Sequence, residues 1–90
     1  MDLKWTAHGT TESRLWVVIG GERWHLATVR RWNLDKRTWY TVHVAGVQRD
    51  RIDAELGREA DAEADARRIA QVRLLASIQR LQAALGASRA

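Results

Sequence analysis

From Arg14 to Ala45 apolar and polar residues alternate along the chain, and two clusters of turn residues interrupt the pattern. A period of two buries every second side chain, so these runs are strands of a sheet rather than turns of a helix. Residues 14–19, Arg-Leu-Trp-Val-Val-Ile, stop at Gly20-Gly21, a pair suited to a hairpin. Residues 23–32 form the second run, and Asn33-Leu34-Asp35-Lys36-Arg37 carries turn chemistry. Residues 38–45 form the third run, ended by Gly46, and residues 3–8 allow a short edge strand. From Asp61 or nearby the period becomes helical and stays so to about Leu85, with Gly86 placed as a C-terminal cap. Gly57 weakens a continuous helix, so Asp53 to Gly57 reads as a separate helical turn. The chain has no proline, repeat or low-complexity linker, and its 90 residues make one domain. The expected architecture is α+β: a three-stranded antiparallel sheet, four-stranded if residues 3–8 pair, followed by one long C-terminal helix packed on one sheet face. The sheet spans about 3–46, a connecting segment 47–58, and the helix about 59–85.

Alternation also sorts side chains to faces. A three-residue loop at Gly20-Gly21-Glu22 sets Ile19 opposite Arg23, and the second hairpin sets Trp32 opposite Trp39. One face then collects Leu15, Val17, Ile19, Ala27, Val29, Val42 and Val44, with His25 and Tyr40 at its margins. The other collects Trp16, Val18, Trp24, Leu26, Thr28, Arg30, Trp32, Trp39, Thr41 and His43. A two-residue turn at Gly20-Gly21 shifts the first strand by one residue and exchanges its contributions.

The helix carries more apolar surface than one stripe needs. Leu74, Ile78, Leu81 and Leu85 share one side, whereas Ile69, Val72, Leu75 and Ala76 lie more than about 100° away at 3.6 residues per turn. A helix apolar on two sides is deeply buried or has a second partner. A homodimer through the C-terminal half of the helix follows; the alternative is a kink near Arg73 that wraps the helix around the sheet edge.

Thirteen Arg stand against two Lys, and net charge is +4. Residues 52–66 hold six acids and one Arg, and residues 67–90 hold five Arg and no acid. Much of that asymmetry suits the two ends of a helix dipole. The first 51 residues keep a basic excess of four, which favours an anionic partner. Without cysteine there are no disulfides or thiolate metal sites. No stretch approaches the roughly 18 apolar residues of a membrane span, and the first residues lack a signal-peptide pattern, so the expectation is a cytoplasmic protein. His8, His25 and His43 match no metal-helix spacing, no glycine-rich turn leads into a helix, and the serines lack a nucleophile context. The acids of residues 53–65 read as a solvated helix start. The expectation is therefore a non-enzymatic protein without cofactor or metal.

The candidate partner-binding residues are Trp16, Trp24, Arg30, Trp32, Trp39 and His43, with Arg31, Lys36 and Arg37 beside them. If the helix packs on the tryptophans, they are core and the aliphatic face is exposed. If it packs on the aliphatic face, the Trp/Arg face is an uncovered interaction surface. Two partners suit that surface: a protein or nucleoprotein whose pockets take tryptophan and whose acids pair with Arg30, Arg31 or Arg37, or a nucleic acid. In the second case Arg14, Arg23, Arg30, Arg31, Lys36 and Arg37 contact phosphates, and a tryptophan stacks on a base.

The run Trp16-Val17-Val18-Ile19-Gly20-Gly21, with Leu26-Ala27-Thr28-Val29 and Trp39-Tyr40-Thr41-Val42 ahead of an Ala-rich helix, resembles small βββα orphan proteins of phages and prophages. Some of these are anti-CRISPR-like inhibitors, so the resemblance implies an inhibitor or adaptor that docks on a host protein or nucleoprotein. The same order of elements is also similar to the AP2-like arm-binding domains of phage integrases, which implies DNA laid on the sheet. The helix is longer than an AP2-like domain needs. Neither resemblance transfers a site residue.

Overall fold

The computed structural model describes residues 2–44 and 49–88. Five antiparallel strands in sequential order make one sheet: β1 (Asp2–His8), β2 (Glu12–Ile19), β3 (Glu22–Leu34), β4 (Arg37–Val44) and β5 (Asp50–Ala54). A single helix, α1 (Glu59–Ser88), follows. The α+β architecture is the expected one, with one correction: the sheet has five strands rather than three or four. The edge strand at residues 3–8 forms, and the segment expected to connect sheet and helix supplies a fifth strand. Its residues alternate, with Asp50, Ile52 and Ala54 half-buried and Arg51 and Asp53 exposed, which satisfies a strand and not a helical turn. Gly57 falls in the turn before α1, at φ 81°, and α1 starts at Glu59, in line with the expected start at about 59. The proposed strand end at Ala45-Gly46 lies outside the described residues.

The hairpin turns decide the register. Ile19 pairs with Glu22, so Gly20-Gly21 is a two-residue turn, with φ of 59° and 83° at its two glycines. That is the left-handed pair a tight hairpin demands, and glycine adopts it without a Cβ clash. The expected three-residue loop is therefore wrong. Its consequence for β2 nevertheless holds, because a bulge absorbs the extra residue. Leu15 pairs with Ala27 and Trp16 with His25, leaving Leu26 over. Below the bulge the faces are as expected; above it β3 is inverted. The β3–β4 turn places Asp35 and Lys36 at φ 49° and 63°, and Trp32 pairs with Trp39.

The helix covers the aliphatic face. Leu15, Ala27, Val29, Tyr40, Val42 and Val44 from the sheet form one buried cluster with Ala62, Ala66, Ala70 and Leu74 of α1. Those four helix residues recur every fourth position, one side of the helix. Alanine at the first three lets the backbone lie close to the sheet. Trp5 and Leu26 pack at the margin, so Leu26 belongs to the core side. Tyr40, expected at the margin, is 3% exposed at the centre of the cluster. Burial raises its pKa above 10.0, with the nearby Glu63 carboxylate adding to the rise and the Arg31 guanidinium opposing it. Ile19, expected in the core, is exposed beyond the reach of the helix.

Helix α1 lies on β3, β4 and β5 and runs along them unbroken by any turn near Arg73. It continues through Gly86 to Ser88, so Gly86 is helical rather than a cap. Leu74 is the last buried residue; nearly everything from Leu75 to Ala87 is exposed. The overhang of about 13 residues extends roughly 20 Å at 1.5 Å per residue.

Candidate functional site

The sheet face away from α1 is uncovered. Register assigns its residues by pairing: Lys4 opposite Trp16, Trp16 opposite His25, Val18 opposite Arg23, Arg14 opposite Thr6 and Thr28, Arg30 opposite Glu12 and Thr41, Trp32 opposite Trp39, and Thr41 opposite Arg51. Six cations therefore share this face (Lys4, Arg14, Arg23, Arg30, Arg37 and Arg51) against three acids by register, Asp2, Glu12 and Asp53. Glu12 and Asp53 are spent within the face, Glu12 on Arg14 at 2.8 Å and Asp53 on Arg51 at 3.0 Å. Lys4, Arg23, Arg30 and Arg37 form no ion pair with the described acids.

Tryptophan orders several of these cations. The Trp32 and Trp39 rings stack at 6.5 Å with planes 9° apart. Arg30 lies over Trp32 at 4.4 Å, and Arg51 lies over Trp39 at 4.6 Å. The result is a row Arg30–Trp32–Trp39–Arg51 across three strands. A second stack sits on the β2 side, where Arg23 lies over Trp16 at 5.1 Å and His25 packs on the same ring at 5.0 Å. The indole N–H groups are already used: Trp16 donates to Thr6 Oγ1 at 2.8 Å, and Trp32 donates to Thr41 Oγ1 at 2.9 Å. These bonds anchor the indole rings of Trp16 and Trp32, and the guanidiniums of Arg23 and Arg30 over them stand at the surface without an ion-pair partner among the described residues, whereas Arg51 already donates to Asp53. Between the rows lies an open cleft of about 220 Å³ lined by Arg30, Trp32, Thr41, His43 and Arg49 among others.

Of the expected site residues, Trp16, Arg30, Trp32, Trp39, His43 and Arg37 come together on this face, and Lys36 is exposed at the β3–β4 turn beside it. Two do not. Trp24 pairs with Val17, which places it on the helix side, because it precedes the bulge. Arg31 pairs with Tyr40 and is half-buried on the helix side, beside Glu63. His25 moves the opposite way, from the aliphatic margin to the Trp16 stack, and His8 lies 6.3 Å from Trp16. All three histidines therefore share the open face. Arg51 was missed because residues 50–54 were read as connector; its signal was the alternation of Ile52 and Ala54 with charged residues. Among the described residues no group of three His, Asp or Glu side chains is placed to hold a metal ion.

The expected helix seam divides. Leu74 is a core residue, whereas Ile78, Leu81 and Leu85 are exposed on the overhang. The fifth tryptophan, Trp5, lies on the helix side under the Arg67 guanidinium at 5.3 Å. No helix is long and apolar enough to cross a membrane. No protein-family model, curated protein or solved structure matches the chain.

Proposed function

We propose that this protein is a non-enzymatic docking module that holds an acidic surface of a protein or nucleoprotein partner against its open Trp/Arg face. In the setting the resemblance implies, docking serves an inhibitor or adaptor role in the cytoplasm of the host of a phage or mobile element. The observation that carries the docking reading is the stacking of Arg23 and Arg30, neither ion-paired to a described acid, on Trp16 and Trp32. A guanidinium held over a ring has already lost much of its rotamer freedom, so pairing with a carboxylate costs less ordering entropy. Trp and Arg are also the residues that dominate binding energy at protein interfaces.

Nucleic acid is the second reading, favoured by the four cations that form no ion pair with an acid among the described residues. Two features weigh against it. Arg30 already lies over the Trp32 ring at 4.4 Å, so a base that stacks on that face must displace it. Five strands at about 4.8 Å spacing make a surface some 19 Å across, wider than the roughly 12 Å major groove that admits a two-stranded ribbon.

The test compares wild type with an Arg23→Ala/Arg30→Ala variant. Fluorescence anisotropy with labelled single- and double-stranded DNA and RNA across a salt series is expected to show only weak, salt-sensitive binding, equal for both proteins. Affinity capture from host lysate is expected to retain a protein that the variant loses and that a Val72→Asp control keeps. Submicromolar nucleic-acid binding near physiological salt, abolished in the variant, overturns the protein-docking reading in favour of the second.

A further inference from the structure

The molecule exposes a second apolar surface, on the opposite side from the Trp/Arg face and made of two separate parts. One is the α1 overhang, with Ile78, Leu81 and Leu85 exposed by 37%, 61% and 53%. The other is the end of the sheet that α1 does not cover. Leu3 and Trp24 both pair with Val17, and Ile19 follows Val17 by two residues, so all three point to the helix side. They are exposed by 46%, 54% and 56%, Trp24 and Ile19 among them.

The two parts lie at the same end of the molecule. Glu63 and Arg67 of α1 flank a cavity they share with Arg31 and Tyr40, and Arg73 reaches Asp50 at 3.2 Å. Because Asp50 pairs with Val42, the helix advances in the direction of β4 from Tyr40 toward Val44. Antiparallel pairing of Val44 with Ala27 puts the β2–β3 hairpin tip at that end. The helix backbone rides on β3, β4 and β5, however, and reaches β1 and β2 only through side chains such as Arg67 at Ser13 and Trp5, so the Leu3/Ile19 end of those strands stays exposed. The chain thus presents an apolar rod and an apolar shelf side by side without closing one on the other.

We propose that a second copy of this chain completes the surface: the overhang of each protomer lies on the Leu3/Ile19/Trp24 shelf of its partner about a two-fold axis. Charge fits this occupant. Arg80 is the one charged residue of the overhang from 75 to 88. Glu22 pairs with Ile19 and so stands on the shelf side. Neither Arg80 nor Glu22 has an ion-pair partner among the described residues, and the two-fold arrangement offers each to the other twice. Area fits too. Six large apolar side chains, each about half exposed, offer roughly 500–600 Å² per protomer, close to what the ~800 Å² per partner of a standard interface requires once its polar rim is added. The interface leaves both Trp/Arg faces uncovered, so the dimer carries two docking faces.

The chain contains no cysteine, which permits a clean test. Leu81→Cys and Trp24→Cys are prepared singly, mixed and oxidised; the mixture is expected to yield a crosslinked dimer, and each protein alone is not. In analytical ultracentrifugation the wild type is expected to be a dimer at micromolar concentration. Leu81→Glu and Trp24→Ser are each expected to weaken it at least about a hundredfold, because symmetry removes every lost contact twice. Both variants keep the wild-type circular dichroism, since neither side chain is buried in the protomer. Crosslinking of Leu81→Cys with itself indicates a helix-to-helix seam and overturns the proposal, as does a monomeric wild type or a dimer indifferent to Trp24→Ser.

Discussion

The helix-to-sheet contact rests on alanine, and replacing one alanine tests which sheet face the helix covers. Ala66 is 0% exposed in the middle of the Ala62–Ala66–Ala70–Leu74 row, while Ala64, two residues earlier, is exposed. Ala66→Leu adds three carbons to a side chain with no exposed surface, inside the cluster that also holds Val29 and Val42. Overpacking of that kind costs about 1–3 kcal/mol and more where the backbone must move. At roughly 0.05–0.15 kcal/mol per residue, a 90-residue chain has about 5–13 kcal/mol in total, so the substitution removes a large share. With a urea dependence of about 1–1.5 kcal/mol per molar for so small a domain, the unfolding midpoint falls by roughly 2 M. Ala64→Leu makes the same chemical change on the solvent side, where leucine and alanine differ little in helix propensity, and shifts the midpoint by less than about 0.5 M. Urea titrations followed by tryptophan fluorescence and circular dichroism measure both. Equal midpoints for the two variants refute the packing of α1 on the aliphatic face.

Three further outcomes are expected. Gly20→Ala and Gly21→Ala place a Cβ at φ of 59° and 83° and each destabilise by about 1–2 kcal/mol in thermal unfolding, although neither Cβ meets another atom. Trp32→Ala removes the Trp39 stack and the Arg30 cation–π contact, about 1–2 kcal/mol of stability, and loses the captured partner as well. Tyr40 is the only tyrosine, so tyrosinate absorbance reports it alone. Its pKa is raised in the folded state, so its contribution is full below pH 10.0 and is lost as pH rises through the folded value. Tyrosinate formation is therefore expected to coincide with alkaline unfolding, and Tyr40→Phe to resist that unfolding better than the wild type.

Much of the open face was legible in the sequence. Alternation within β2, β4 and the second half of β3, with Trp32 taken to face Trp39 across the second hairpin, set Trp16, Arg30, Trp32, Trp39, Thr41 and His43 on one side, and the register has that pair. The errors cluster at one irregularity. Trp24 and His25 were assigned to the wrong faces because the bulge at Leu26 inverts β3 above it, and a bulge leaves no residue signature when no glycine marks it. Arg31 was grouped with its neighbour Arg30, but adjacent strand residues face opposite ways, and Arg31 sits by Tyr40 under the helix. On the helix, leucine and isoleucine drew attention to the seam from Leu74 to Leu85, whereas the residues that meet the sheet are mostly alanines.

Local chemistry thus determined what the backbone does: where strands alternate, where glycine permits a tight turn, where acids open a helix and where its apolar positions recur. Those are interactions between residues a few positions apart, and they are written in order along the chain. Tertiary structure decided which face is covered, how one surplus residue is absorbed in β3, and where the helix leaves the sheet. Each of these depends on volume filled between segments distant in sequence. The small side chains of Ala62, Ala66 and Ala70 allow the helix to pack against the cluster of Val29, Val42 and Val44, and the bulky Trp16, Trp32 and Trp39 are left on the other side, where stacked arginines lie over their rings.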